Sequence, residues 1–375
     1  MEIAALPAPP AYTSPAVIRF SGLDVLRCFA ALSVIAYHST LGLQGSLSKA
    51  PAKLLHNLPV GVDFFFLISG FLITYLLLVE KESTHTISLS RFYARRILRI
   101  FPLYYLIVGL AWLIHQDEYN SINFTSYLTF TGNFWMIEHD WTVATLNPLW
   151  SLCIEEQFYL LIPLLVLALP TQKLPWLFGL IIGLSLAFRA YITITTPLNW
   201  MILYCHTLSR CDVLAIGGLL AWRHFTQPIR WQFPRWALVL AIGYSVLLVS
   251  VTDVYDFTSL AFATFKKYLY LAPLLFIFCF TLFNYSAKST DSPLLGKLKK
   301  QLNYLGKISY GLYMYHSPII FFLDTNPQFY DHNPALRLLA IFSLTIGVSA
   351  LSYALFEKQI LRLRHRFEVV QTARA

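Results

Sequence analysis

The sequence predicts an all-α polytopic membrane protein: a helical bundle of about ten transmembrane helices, with one further short or re-entrant segment. Three observations lead there. Apolar residues make up 57% of the 375-residue chain and charged residues only 13%, too little charge to cover a soluble protein of this size. Mean hydropathy is +0.58, and apolar runs of about 20 residues recur along the chain, the length a helix needs to cross the hydrocarbon of a bilayer. The runs are continuous rather than alternating, unlike the roughly ten-residue strands of a membrane barrel.

Residues 1–20 hold four prolines and almost no charge before Arg19. No basic stretch precedes an apolar one, so this segment reads as a disordered cytoplasmic tail and not as a cleaved signal. One transmembrane domain follows over 21–358. Its spans fall near 22–42, 58–80, 97–115, 150–169, 174–193, 204–222, 236–251, 268–285, 303–323 and 335–356. The stretch 122–137 is apolar but short and rich in Thr, Asn and Ser, which suits a re-entrant or interfacial segment. Residues 359–375 form a basic cytoplasmic tail.

Charge fixes an orientation. With a cytoplasmic N-terminus and ten alternating spans, 20 of the 28 Lys and Arg fall inside and 5 outside. The other three, Arg27, Arg189 and Arg210, are counted within spans, while Arg99, Lys307 and Arg337, near span ends, are counted with the adjoining loops. The loop 116–149 carries four acidic residues and no basic one. This asymmetry predicts both termini in the cytoplasm. It also absorbs the net charge of +9, so nucleic acid is not an expected partner. The five cysteines lie in or beside apolar runs without metal-type spacing and read as small buried residues. No phosphate-binding loop of the G-x-x-x-x-G-K-[ST] type occurs, which argues against an ATP-driven pump.

Ionisable groups at membrane depth are expensive and mark function by default. Arg27 and His38 are 11 positions apart, three helical turns plus about 20°, with a rise of about 16 Å. They therefore share one face, Arg27 near the cytoplasmic end and His38 in the outer half. Asp24 precedes Arg27 by three and can pair with it. Snorkelling of Arg27 to the interface and a packing role for His38 are the structural alternatives. The fourth span brings Glu155 and Glu156 in from outside, and at roughly 9 Å of depth Glu155 matches His38. At most one of these neighbours faces His38. The sixth span carries Arg210 and Asp212. The ninth carries Tyr315 and His316, and the second carries Asp63 and the small pair Ser69-Gly70, which also suits close helix approach. Polar groups on four spans at one depth point to a shared cavity. In the loop after the second span, Arg96 and Arg99 share a helical face, and guanidinium forks suit phosphates. Ordinary positive-inside charge is the alternative.

Together these segments resemble the acyltransferase-3 family of integral membrane acyltransferases, which includes O-acetylases of bacterial surface polysaccharides. The likeness covers about residues 20–358. It rests on Gly22-Leu23-Asp24-Val25-Leu26-Arg27 with His38, Gly61-Val62-Asp63 through Phe71-Leu72, Arg96-x-x-Arg99 before Phe101-Pro102, and Trp150-Ser151-Leu152-x-x-Glu155-x-Gln157-Phe158-Tyr159. Arg210-x-Asp212 with Gly217, Ser309-Tyr310-Gly311-Leu312-Tyr313-x-Tyr315-His316 and Phe356-Glu357 complete it.

The resemblance implies transfer of an acyl group, commonly acetyl, from coenzyme A to a hydroxyl, mostly on a carbohydrate. It implies a multi-pass protein of a bacterial inner membrane. Acyl-CoA is then a donor substrate and no cofactor is bound. The partners are acyl-CoA, a hydroxyl-bearing glycan or glycoconjugate, and membrane lipid. The Arg27/His38 pattern is implied to be essential, and Arg96 and Arg99 to serve the cytoplasmic donor side. On this reading His38 is a general base or an acyl carrier, and Glu155 orients it. Asp24, Asp63, Ser69, Arg210, Asp212 and His316 support the acceptor or the transition state. A transporter or flippase of a polar glycan or small anion would use the same cavity without acyl chemistry. The family's outer hydrolase-like domain, present in some members, is expected to be lacking because the sequence stops at Ala375.

Overall fold

The computed structural model describes residues 20, 22–41, 48–115, 122–141, 143–196, 199–229, 233–251, 267–284, 293–330 and 333–369. The expected tail over 1–20 lies almost wholly outside them. Among the described residues there is no strand. The helices are α1 (Gly22–Thr40), α2 (Lys49–His56), α3 (Val60–Thr84), α4 (Leu89–Ile114), α5 (Phe124–Leu128), α6 (Gly132–His139), α7 (Leu149–Ala168) and α8 (Leu174–Thr195). They continue with α9 (Trp200–Cys205), α10 (Thr207–Thr226), α11 (Arg235–Val251), α12 (Lys267–Asn284), α13 (Pro293–Lys307), α14 (Ser309–Thr325), α15 (Pro334–Ser352) and α16 (Lys358–Leu363).

A helix lies at each of the ten predicted spans. Five helical stretches among the described residues are long and apolar enough to cross a membrane: Pro51–Thr84, Leu89–Ile114, Leu149–Ala168, Thr171–Thr195 and Pro334–Phe367. The segment 122–137 becomes α5 and α6, of 5 and 8 residues, each far too short to span. The expected span 303–323 divides at Ile308. Its first residues end α13, a separate basic amphipathic helix, and the apolar part is α14.

Burial separates the centre of the bundle from its rim. The apolar window of α3 is 72% buried and that of α15 only 17%. A helix apolar all round and buried belongs in the middle, and one apolar but exposed belongs against lipid. Trp176, Leu180 and Leu184 on α8, and Leu339, Leu344 and Leu351 on α15, form such an outer surface. Polar anchors tie the bundle together. Lys81 on α3 donates to the carbonyls of Val166 (2.6 Å) and Leu169 (2.6 Å), where α7 ends. A cation there satisfies carbonyls that have no helical partner.

A close crossing joins α3 to α10. A Cβ on Gly70 would fall on the Leu214 carbonyl, and one on Gly217 would fall on the Leu67 carbonyl. Backbone meets backbone on both sides, so no flexible side chain can yield. Gly70→Val is therefore expected to cost about 2–3 kcal/mol. A lower unfolding midpoint in detergent is the readout, and a wild-type midpoint would refute the tight crossing.

A second approach sets the relative depth of two helices. A Cβ on Gly61 would meet Ser33 Oγ and the Ala30 carbonyl of α1. Residue 61 of α3 is thus level with 30–33 of α1. These helices run antiparallel, so Ser69 lies level with residues 22–25, within about one turn of Arg27.

Candidate active site

Five helices, α1, α3, α4, α7 and α14, converge on one cavity. α1 contributes Arg27; α4 contributes Arg96 and Arg99; α3 contributes Ser69; α7 contributes Glu155 and Tyr159. The wall continues through Phe65, Ser151 and Tyr313. Arg27 and Asp24 make the expected pair across one turn, at 3.3 Å. The Arg96 guanidinium lies over the Phe92 and Tyr159 rings, 5.9 and 5.8 Å from their centroids. Its Nε is buried without a hydrogen-bond partner. Among the described residues, neither Arg96 nor Arg99 has a carboxylate within 4.0 Å. The three-residue spacing of Arg96 and Arg99 does put both in one cavity, so their charge is not spent on the helix surface.

Glu155 accepts hydrogen bonds from Ser69 Oγ (3.1 Å) and Tyr159 OH (2.9 Å). It makes no hydrogen bond to His38. The expected approach of Glu155 to His38 is not made, for a physical reason: α7 begins among buried residues, Leu149 and Trp150, inside the bundle. The connection before it is folded into the bundle. Thr145 and Leu146 are fully buried. Pro148 O accepts from Tyr313 OH (2.8 Å), and Ala144 O accepts from Ser317 Oγ (2.5 Å). Gln157 donates to Phe130 O (2.8 Å) and Asn133 Oδ1 (3.0 Å), drawing α6 inward. Seven residues into a helix that starts deep, Glu155 lands at the Arg27 level.

His316 meets His38 instead. His316 Nε2 and His38 Nδ1 are 3.2 Å apart. His316 Nδ1 lies 2.6 Å from Tyr313 O, and His38 Nδ1 lies 3.1 Å from Val34 O. Carbonyls only accept, so both Nδ1 atoms carry hydrogen in the neutral rings. His316 Nε2 is then the acceptor for His38 Nδ1–H. This leaves His38 Nε2 with its lone pair and no hydrogen-bond partner among the described residues. His316 is fully buried, whereas His38 is partly exposed. Tyr313 stands between this pair and the cavity: it lines the cavity, and its ring lies 5.6 Å from that of His316.

The other expected site residues form buried ion pairs. Arg210 donates to Asp63 Oδ1 at 2.9 Å, and its guanidinium faces the Phe66, Trp150 and Tyr204 rings at 5.3 to 5.7 Å. Asp212 accepts from Arg189 (2.9 Å) and from Tyr268 OH (2.7 Å). None of these four charges lines the cavity. Arg189 is expected only as a basic residue within a span, and Tyr159 and Tyr313 only as parts of the matched segments; none of the three is an expected site residue. For Arg189 the signal was present: an intramembrane guanidinium needs a carboxylate, and Asp212 was an intramembrane carboxylate with no partner assigned.

The family profile described as an acyltransferase domain matches residues 20–355. The chain belongs to the acyltransferase-3 family. Among the relatives of this acyltransferase-3 chain is the peptidoglycan O-acetyltransferase OatA of Listeria monocytogenes, 29% identical over 366 residues. Another is the O-acetyltransferase OatA of Staphylococcus aureus, 30% identical over 369 residues. Each alignment covers 90% of this chain, and 55% and 57% of the respective relatives. The chain thus spans a little over half the length of the curated relatives it matches. No solved structure matches it. Membership favours acyl chemistry over the transporter alternative.

Proposed function

We propose that this chain is a membrane O-acyltransferase that passes an acetyl group from cytoplasmic acetyl-CoA to a hydroxyl of a cell-envelope glycan. The observation that carries this reading is the joint placement of an uncompensated arginine pair at one end of a cavity and a lone-pair imidazole just beyond its other wall. The relatives' names supply the acceptor class: peptidoglycan for one of them. The basic end of the bundle faces the cytoplasm, in keeping with the distribution of Lys and Arg.

Arg96 and Arg99, with Arg27, receive the donor's phosphates through charge-assisted hydrogen bonds. The donor's arm runs past Ser69, Glu155 and Tyr159, where the carboxylate can accept from its amide N–H groups. The thioester reaches the Tyr313 wall. The acceptor hydroxyl approaches His38 from the opposite side. His38 Nε2 takes its proton as the oxygen attacks the thioester carbonyl, the C–S bond breaks, and the thiolate leaves and is protonated. His316 holds the His38 ring in the tautomer that keeps Nε2 free, the task a carboxylate performs in a triad.

The test is release of free thiol from acetyl-CoA by the purified protein in nanodiscs, with and without glycan acceptor. Acceptor-dependent release is expected, and its absence for every glycan hydroxyl offered would overturn the reading. Arg96→Gln and Arg99→Gln should each raise KM for acetyl-CoA about tenfold, the loss of roughly one charge-assisted bond. Their kcat should change little, because they touch the distant end of the donor.

A further inference from the structure

The segment expected to be a basic tail is ordered against the site. Residues 358–363 form α16, and 364–367 add a short 3-10 turn packed against the start of α4. The turn is latched by Arg95, which donates to Phe367 O at 2.6 Å. Arg95 also pairs with the buried Glu80 at 3.1 Å, and Glu80 in turn accepts from the Ser88 amide at 2.7 Å. The latch therefore rests on the loop that leads into the Arg96/Arg99 face.

This arrangement brings one more guanidinium to that face. Arg364 lies near enough to Arg95, Arg96 and Arg99 for their like charges to repel. Its nearest carboxylate, Glu368, is 4.0 Å away and is held more closely by His365 at 2.9 Å. Arg95 has a carboxylate of its own and Arg364 has only Glu368, at the 4.0 Å limit of an ion pair, while Arg96 and Arg99 have none within that range among the described residues. Glu156 and Glu357 act on Arg96 and Arg99 only from beyond salt-bridge range. Bringing the Arg364 guanidinium, through the 358–369 segment, up to the unpaired Arg96 and Arg99 is unfavourable unless an anion joins the three.

We propose that Arg364 is a third phosphate-binding arginine of this site, delivered by the 358–369 segment, and that the ligand's phosphoryl groups bridge it to Arg96 and Arg99. The assignment rests on the donor reading above and commits to a ligand carrying more than one phosphoryl group, as coenzyme A does. A phospholipid headgroup offers the same chemistry, and the two sources separate experimentally.

The full chain is placed in nanodiscs of neutral lipid, and binding of coenzyme A and of pantetheine, which lacks the phosphates, is titrated. Arg364→Gln is expected to weaken coenzyme A binding about tenfold and to leave pantetheine binding unchanged. Arg366→Gln, on an exposed neighbour, should bind both as the wild type does. Wild-type affinity for coenzyme A in Arg364→Gln overturns the proposal and leaves the donor reading standing. A wild-type protein that binds no coenzyme A overturns the donor reading itself, and this assignment with it. If Arg364→Gln instead loses co-purifying phosphatidylglycerol while its affinity for coenzyme A stays the same, the phosphate is the lipid's and the proposal is wrong. Should the glutamine variant fail to fold, Arg364→Lys carries the test. It keeps the charge but loses the two-pronged fork, so a weaker coenzyme A complex is expected and an unchanged one refutes the role.

Discussion

His38→Ala removes acyl transfer and leaves the bundle folded. The side chain is only partly buried and sits at the end of α1, so its loss leaves one hydrogen-bonding atom of His316 without its partner, worth about 1 kcal/mol. The chemical loss is far larger. With no base at the acceptor hydroxyl, the rate should fall by about three orders of magnitude. Thiol release from acetyl-CoA measures the rate, and the unfolding midpoint shows that the fold survives. Wild-type turnover in this variant would sink the mechanism. A radiolabelled acyl group that stays on the wild-type protein and not on His38→Ala would show that the imidazole carries the acyl group rather than the proton. His316→Ala should give an intermediate loss, because the ring it orients is still present.

Asp63→Ala should be the most destabilising of the single changes considered. It strips the carboxylate from an Arg210 that is 2% exposed, at the crossing of α3 and α10. Breaking a buried pair from one side leaves a charge without its counterion and costs about 3–5 kcal/mol. Arg210→Ala should behave alike, and Asp63→Ala combined with Arg210→Ala should cost less than the sum of the two. Thermal unfolding in detergent reads the effect. The competing expectation, that these residues support the acceptor, makes a different forecast: an unchanged midpoint with lost activity per folded molecule.

What the sequence made legible was local. Helix positions follow from apolar runs, and a helix lies at each of the ten predicted spans. Asp24 with Arg27, and Arg96 beside Arg99, follow from three-residue spacing, which fixes a shared face whatever the rest of the chain does. The boundary at Ile308 was hidden because Tyr304, Leu305 and Ile308 extend the apolar signal backwards into a basic amphipathic helix. Contacts between distant helices were not legible. His38 and His316 are 278 residues apart, and nothing in either segment says that α1 and α14 are neighbours. The depth of Glu155 was misjudged because residue counting assumes that each helix starts at the membrane surface. The burial of Val143, Thr145, Leu146 and Pro148 breaks that assumption for α7.

The sunken connection before α7 also bears on reach. A hydrocarbon layer is about 30 Å thick, longer than the slender arm of a cytoplasmic thioester. Tyr127, Thr145 and Leu146 are buried, so the stretch before α7 is packed into the bundle. On the proposed function, this inward packing would shorten the distance a group must travel between the two compartments. A carrier fixed at one face can then hand its cargo to a recipient on the other, with neither molecule crossing and no helix needing to rock.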